Sequence, residues 1–484
     1  MADGVNGRFD FTAPVPRLAE LGAVHLIAIG GTGMSAVARL LLGRGIRVSG
    51  SDAKDSPVLA SLAAQGATVR VGHDPAALDG ADTVVVSSAI REDNVELTAA
   101  RARGLRVLHR AQALAACLEG SRSVAVAGAN GKTTTTSMTA VGLDAAGLDP
   151  SFASGGELPV WDTNARVGSG PAFVLEADES DGSFVTYHPD IAVVTNVQPD
   201  HLDFYGTFEH VRSAYAAFAA SMRPRGLLIA CADDEGSAAL ARSHSAAGGR
   251  VLTYGFAVDS AVRLSDAVDA TLDADGFGAS ARVSFDGASR DLRLAVPGHH
   301  NLLDAAAAFA ACVAGFGADP AAVTSGLRHF AGARRRFEVI GRRGGVTVID
   351  DYAHNPGKVR AVVSTVVGLV GREHVHVVFQ PHLYSRTRDF ADGFAAGLAP
   401  AADVVLLPIY GAREEPMPGV TSGLVVAALN RLGGPDHAVA VAGPDEAVAS
   451  VVGRARPGDV ILTVGAGDVT ACAPRILDAL GHRR

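Results

Sequence analysis

Residues 124–136 read VAVAGANGKTTTT. An apolar run suited to a buried strand turns through Gly128-Ala129-Asn130-Gly131, and Lys132 then opens a run of threonines. Strand, glycine turn and lysine at a helix mouth make a phosphate cradle, because backbone N–H groups and the positive helix end face an anion. The long P-loop pattern has glycine where Val126 stands here, so what remains is the short form G-x-x-G-K-T. Gly128, Ala129, Asn130, Gly131, Lys132, Thr133 and Thr134 are the predicted triphosphate-binding residues, with the Thr133 hydroxyl on Mg2+. The 42 basic residues include only three lysines, Lys54, Lys132 and Lys358, as a GC-rich genome would give. Against that background a lysine inside the turn points to its chemistry: a compact ammonium slips between phosphates where a planar guanidinium is too wide.

Working outward, the same grammar occurs upstream. AIGGTGMSA, residues 28–36, fits G-x-G-x-x-A through Gly31, Gly33 and Ala36, and Asp52 ends the next strand 19 residues after Gly33. This has the form of a dinucleotide fingerprint, and also of a tight structural turn. Strand-and-helix alternation runs to about Gly120, restarts at the Lys132 turn, and restarts again after AGARRRFEVI at 331–340. Between 251 and 296 the pattern changes to period two with a turn, as in antiparallel strands. The predicted fold is α/β: an N-terminal Rossmann-like domain (1–120), a central P-loop ATPase-like domain of mostly parallel sheet (121–331) and a C-terminal Rossmann-like domain (332–484). Residues 1–17 are predicted to be a loose tail.

Composition narrows the class. With 48% hydrophobic and 19% charged residues the chain can build large cores, and a net charge of −9 argues against a nucleic-acid partner. Four separated cysteines, no signal-like start and no apolar membrane span predict a cytoplasmic protein.

The chemistry-bearing motifs fall at predicted strand ends, where open α/β sheets bind ligands. EADESDGSF (176–184) carries four carboxylates, either a solvated loop or a magnesium site, and the preceding AFVL favours the second by placing Glu176 at a strand end. TNVQPDHLDFYG (195–206) follows the next strand, and His201 fits either a ligand or a surface histidine. Then come GHHNLLDAAAA (298–308), RRRFE (334–338), DDYAHNP (350–356), FQPHLYSRTRDF (379–390) and VGAGDV (464–469).

In this order, over essentially the whole chain, these motifs resemble the Mur ligases of peptidoglycan synthesis, and among them the members that add L-alanine to UDP-N-acetylmuramate. The resemblance implies that Gly31, Thr32, Gly33, Met34 and Ser35 face the UDP diphosphate. Asp52 and His73 would lie near the uridine, and Ser87, Ser88, Ala89 and Ile90 would line the same groove. Lys132 and Thr133 would take ATP and magnesium, and Glu176 and His201 would complete the metal sites. Asn301 would meet the adenine, Arg336 a phosphate and Asp351 the ribose. Tyr352, His354, His382 and Arg386 would surround the alanine. Lys132, Glu176, His201, His354 and Arg386 form the implied catalytic set, with two Mg2+ and Mn2+ as a substitute. Asn130 and DDYAHNP are closer to ligases that add later residues, and Leu383 stands where some members have a second arginine. No lysine lies between Lys132 and Lys358, so no carbamylated lysine is expected.

The implied reaction passes through an acyl phosphate and releases ADP and phosphate, with His354 or His382 taking the amine proton and the domains closing to exclude water. A monomer or weak dimer is expected. The rival readings are a ligase recycling whole peptides onto the same sugar, a folate polyglutamate-type ligase, a nicotinamide dehydrogenase and a non-catalytic nucleotide-binding regulator. The folate-type ligase would not need the first glycine-rich domain, and the dehydrogenase leaves GANGKTTTT without a job.

Overall fold

The computed structural model describes residues 8–482 apart from 274–275, 331, 333, 413 and 435–436. The expected domain boundary at 331 therefore falls on a residue outside the described ones. The chain divides into two compact units, residues 1–268, 279–294 and 299–330 in one, and 269–278, 295–298 and 331–484 in the other.

The first unit carries two sheets. Five parallel strands run in the order Thr68–Val71, Val48–Asp52, Val24–Ile27, Thr83–Val86, Arg106–His109. Strand order reverses at Val24–Ile27, so the glycine turn that follows it opens at the switch point where such sheets bind nucleotides. The second sheet has ten strands. Arg122–Ala127, which feeds the Lys132 turn, lies between Ile191–Val194 and Ala172–Glu176, both parallel to it. This strand is buried along its length except for Arg122 at its start, as a central strand covered on both faces requires.

One edge of this sheet is the predicted antiparallel pair. Gly276–Phe285 returns as Ala288–Leu294 through Asp286-Gly287, at φ 50° and 75°, the left-handed pair that an Asp-Gly hairpin turn needs. The other edge is a hairpin, Ser151–Leu158 with Thr163–Arg166, which the sequence pattern did not announce. The alanine-rich helix His299–Ala310 continues as a π-helical turn to Gly315.

Residues 8–17 correct the expectation of a loose tail. Phe9 and Phe11 are buried and pack on the His109 ring, with centroids at 5.2 and 5.1 Å.

The second unit holds a six-stranded sheet, Glu338–Arg343, Val346–Asp351, Val460–Val464, Val375–Phe379, Asp403–Leu406, Ala438–Ala440, parallel except for its first strand. Its valine-rich strands are buried under helices such as Pro356–Val370 and Tyr384–Leu398. Among the described residues no helix is long and apolar enough to cross a membrane.

Candidate active site

The Lys132 turn is held rigidly. Gly128 and Gly131 have φ of 144° and 83°, where a side chain would be strained. A Cβ at Gly128 would collide with the Thr195 hydroxyl, and one at Gly131 with the Asp304 carboxylate. The loop after Ile191–Val194 braces the turn: Asn130 N–H donates to Asn196 Oδ1 at 2.9 Å, and Thr195 Oγ1 donates to the Asn130 carbonyl at 2.6 Å. Asp304 accepts from Thr135 Oγ1 at 3.1 Å, so the helix bearing it abuts the turn, and buried Asn301 lies three residues before it on the same face. Thr133 is buried in the first turn of the Lys132–Ala145 helix.

Lys132 Nζ donates to the Gly128 carbonyl at 2.6 Å and to Glu179 Oε1 at 2.8 Å. His201, at φ 52°, places Nε2 3.6 Å from the same oxygen. Burial opposes the Lys132 charge, but the Glu179, Asp178 and Glu176 carboxylates outweigh it and hold the ammonium pKa above its ordinary value. Glu176 itself accepts the Gly155 N–H at 2.7 Å. The acid touching both Lys132 and His201 is therefore Glu179, three residues beyond the predicted Glu176.

These residues fit magnesium and a nucleotide. Among the described residues Glu179 Oε2 is buried without a donor, the neighbouring side chains are hard carboxylates, and the turn offers backbone N–H groups at a helix end. Among the described residues no three His, Cys, Asp or Glu side chains converge on a metal position by themselves. A magnesium ion here would lean on phosphate oxygens, as that ion commonly does.

The first glycine turn is assembled from further away. Gly31 caps the helix Thr32–Gly43, and Thr32, Gly33, Met34 and Ser35 make its first turn. Asp52 folds back to accept the Gly30 N–H at 2.9 Å. His73 belongs to a polar cluster with Ser51 and Glu96. Burial would raise Glu96, but the His25 ring 3.6 Å away and hydrogen bonds from Ser51 and the Asp74 N–H pull it down to about 2. Of the Ser87–Ile90 loop, Ser88 donates to Asp181 at 2.5 Å.

The cation of this turn is Arg110. A Cβ on Gly33 would come within 2.5 Å of Arg110 Nη1, and Arg110 Nη2 donates to Asp178 at 3.2 Å. Asn164, from the edge hairpin, donates to the Thr32 carbonyl at 2.8 Å. The acidic loop thus serves both turns with adjacent residues, Asp178 for Arg110 and Glu179 for Lys132. Burial would raise Asp178, but Arg110 and Lys132 hold its carboxyl well below the usual range.

In the second unit the predicted amino-acid residues converge. Tyr352 and His354 lie 5.1 Å apart edge to face, His354 and His382 5.9 Å, and His382 stacks on Tyr410 at 5.9 Å. Arg386 Nη1 reaches the His354 carbonyl at 3.4 Å. Leu383, at φ 69°, makes the sharp corner between His382 and the helix carrying Arg386; such strain recurs where ligands are held. His354 is placed to donate from Nδ1 to the Tyr352 carbonyl at 2.9 Å, and burial lowers its pKa to about 3. Asp351 accepts the Phe337 and Ala353 N–H groups at 2.9 and 2.8 Å. Burial raises its pKa against the pull of Arg336, whose guanidinium lies 5.3 Å from the Tyr352 ring centroid.

Sequence reasoning missed Glu179, Asp178, Arg110, Asn164, Thr195, Asn196 and Asp304. Glu179 and Asp178 stood inside a quoted motif, but side-chain direction in a loop after a strand has no period to read. Arg110 is one of many arginines, and only the tertiary fold brings it to Gly33.

Comparison with known proteins bears on what these sites serve. The chain matches the Mur ligase family catalytic domain over residues 23–122, the Mur ligase middle domain over 126–312 and the Mur ligase glutamate ligase domain over 335–467. It is 52% identical over 473 residues to UDP-N-acetylmuramate–L-alanine ligase of Paenarthrobacter aurescens strain TC1, covering 97% of this chain and 100% of the relative. The structure of UDP-N-acetylmuramate-alanine ligase from Thermotoga maritima is similar at a TM-score of 0.79 and 30% identity, covering 94% and 98% of the two chains. That of a murein peptide ligase from Psychrobacter arcticus 273-4 is similar at 0.68 and 25% identity, covering 96% and 99%.

Proposed function

The chain belongs to the Mur ligase family, and from that premise we propose that it joins L-alanine to the lactyl carboxylate of UDP-N-acetylmuramate through an acyl phosphate. It is an ATP-dependent, magnesium-using acid–amino-acid ligase of peptidoglycan precursor synthesis. The observation that carries the choice within the family is the 52% identity with an L-alanine ligase over 97% of the chain. Among solved structures an L-alanine ligase is likewise nearer, at 30% identity and a TM-score of 0.79 against 25% and 0.68 for a murein peptide ligase. The domain division 1–120, 121–331 and 332–484 is proposed with it, for the UDP-sugar, ATP and amino acid in turn.

The two glycine turns then have separate work. Gly31 to Ser35 with Ser87 to Ile90 hold the UDP-sugar, with Asp52 and His73 toward the uridine. Gly128 to Thr134 hold the ATP phosphates, and Asn301, Arg336 and Asp351 keep the adenine, phosphate and ribose assignments. Thr133, Glu176 and His201 would hold magnesium, two ions in this reading with Mn2+ able to replace them. The metal supplies charge neutralisation on the phosphoryl group as it moves.

The lactyl carboxylate attacks the γ-phosphorus, the bond to the bridging oxygen breaks, and ADP leaves. Lys132 stabilises the departing charge from the turn. Alanine's neutral amine attacks the acyl carbon, and phosphate leaves with the former carboxylate oxygen. Arg386 orients the alanine carboxylate, and Tyr352 and His354 wall the pocket. Of the two candidate bases His354 is poorly suited, because burial lowers its pKa to about 3 and it holds a proton poorly at neutral pH, which leaves the role to His382. A cytoplasmic monomer or weak dimer completes the proposal, and four buried free cysteines suit a reducing compartment.

Phosphate release with UDP-N-acetylmuramate and single amino acids tests the reading. L-Alanine should give the highest kcat/KM. A chain that responds only to a whole peptide, or releases no phosphate with any amino acid, would be something else.

A further inference from the structure

Glu179 is held in place and left half satisfied. Tyr205 OH and the Gly182 N–H both donate to its backbone carbonyl, the second at 3.1 Å. Its side chain is 2% exposed. Oε1 takes the Lys132 ammonium, and Oε2 is buried with no donor among the described residues. A buried carboxylate oxygen without a donor is costly, and few survive in a folded protein without a reason.

Lys132, the cation that a triphosphate would meet, is thus already neutralised by a residue that cannot retreat into water. A bare nucleotide arriving here must take the ammonium from Glu179 and then lie beside a buried carboxylate that has lost its lysine and keeps only the His201 ring, 3.6 Å from Oε1. Like charges so placed repel strongly. A nucleotide that brings a divalent cation replaces the charge it takes, and gives the uncommitted Oε2 something to face.

We propose that Glu179 is a charge gate on the nucleotide site, admitting nucleotide together with its divalent cation and disfavouring nucleotide alone. The gate rests on the reading of the Lys132 turn as the nucleotide site. It makes Glu179 a specificity-determining residue, distinct from Glu176.

The test is ADP affinity, measured calorimetrically on the full chain with magnesium and with EDTA. No turnover is needed. In Glu179→Gln the metal-free affinity should rise about tenfold or more, because the repelling charge is gone. The magnesium-bound affinity should change less, so the ratio between the two shrinks. Glu179→Asp keeps the charge one methylene further back and should keep the discrimination in the same direction. That variant also guards against a misfolded amide, since loss of discrimination in it would count against the gate. A folded Glu179→Gln chain whose metal-free affinity is unchanged or lower overturns the proposal. Lys132→Ala separates the two ideas: if it binds magnesium-ADP as wild type does, the nucleotide-site reading fails, and the gate with it.

Discussion

The cations of the two units wait in different states. In the first unit Lys132 is paired with Glu179 and Arg110 with Asp178, both on one acidic loop. In the second, Arg386 meets the His354 carbonyl and, among the described residues, no carboxylate. A cation that already has a counter-ion must exchange it when its ligand comes, which suits a polyanion arriving with metal. A cation that meets only a carbonyl dipole can take a small carboxylate directly, which suits a free amino acid. The difference follows the charge of the ligand each unit is proposed to hold.

The largest expected effect is at Lys132. Lys132→Ala should abolish turnover and, by leaving buried Glu179 without its counter-ion, should also lower stability by about 3–5 kcal/mol, so it is assayed well below its melting temperature. Lys132→Arg should be nearly as poor in turnover. Steady-state phosphate release and circular dichroism check this. Near-normal rates in either variant would remove the first half of the comparison.

Arg386→Ala should come next. With no carboxylate to release, its whole effect should fall on alanine, raising that KM far more than the KM for ATP. Breaking a charge-assisted pair in a partly buried site costs roughly 2–4 kcal/mol, about 30- to 1,000-fold. Equal changes in both KM values would mean that Arg386 serves the fold instead.

The two glycine turns sharpen the contrast within the first unit. Gly128→Ala places a methyl at φ 144° and into Thr195, and should destabilise by about 2–4 kcal/mol. Gly33→Ala meets mainly the movable tip of Arg110, and should destabilise by less than about 1 kcal/mol. It should still weaken UDP binding by about tenfold, because the guanidinium must shift. Thermal melts and UDP titrations on the pair decide it, and equal destabilisation would show that the turns are built alike.

That contrast also explains what could be read before the fold was known. The Lys132 turn is local: strand, glycines, lysine and threonines are contiguous, so its chemistry was legible in thirteen letters. The parallel strands were legible as short apolar runs, and the Asp286-Gly287 hairpin by its turn residues. The first turn was legible only as glycines, since Arg110 and Asn164 come from distant elements. The roles of Asp178 and Glu179 depend on which way a loop turns its side chains. Phe9 and Phe11 were misjudged because two aromatics in a polar N-terminal stretch show no period, and only the tertiary fold brings them onto the His109 ring, which is itself buried.

The smallest expected effect asks what a paired cation does where no ligand comes. At the opposite end of the second unit's sheet, His376 lies between Asp403 at 2.7 Å and Asp459 at 3.0 Å. Burial would lower its pKa, but the two aspartates outweigh that and raise it. A histidine raised above its unfolded value near 6.5 stabilises fully below that pH, and the contribution fades as pH rises through the folded value. Asp459 works in the opposite sense: its carboxyl is held below the ordinary range despite burial, so its contribution is lost on acidification. His376→Gln should therefore destabilise this unit at pH 6, by about 1 kcal/mol, and by less at pH 9. Calorimetric melts of both chains across that range measure it. If the difference between them does not shrink as pH rises, the charge on His376 contributes nothing. The rule that a pre-paired cation shows itself as stability where no ligand displaces its partner would then fail at its simplest case.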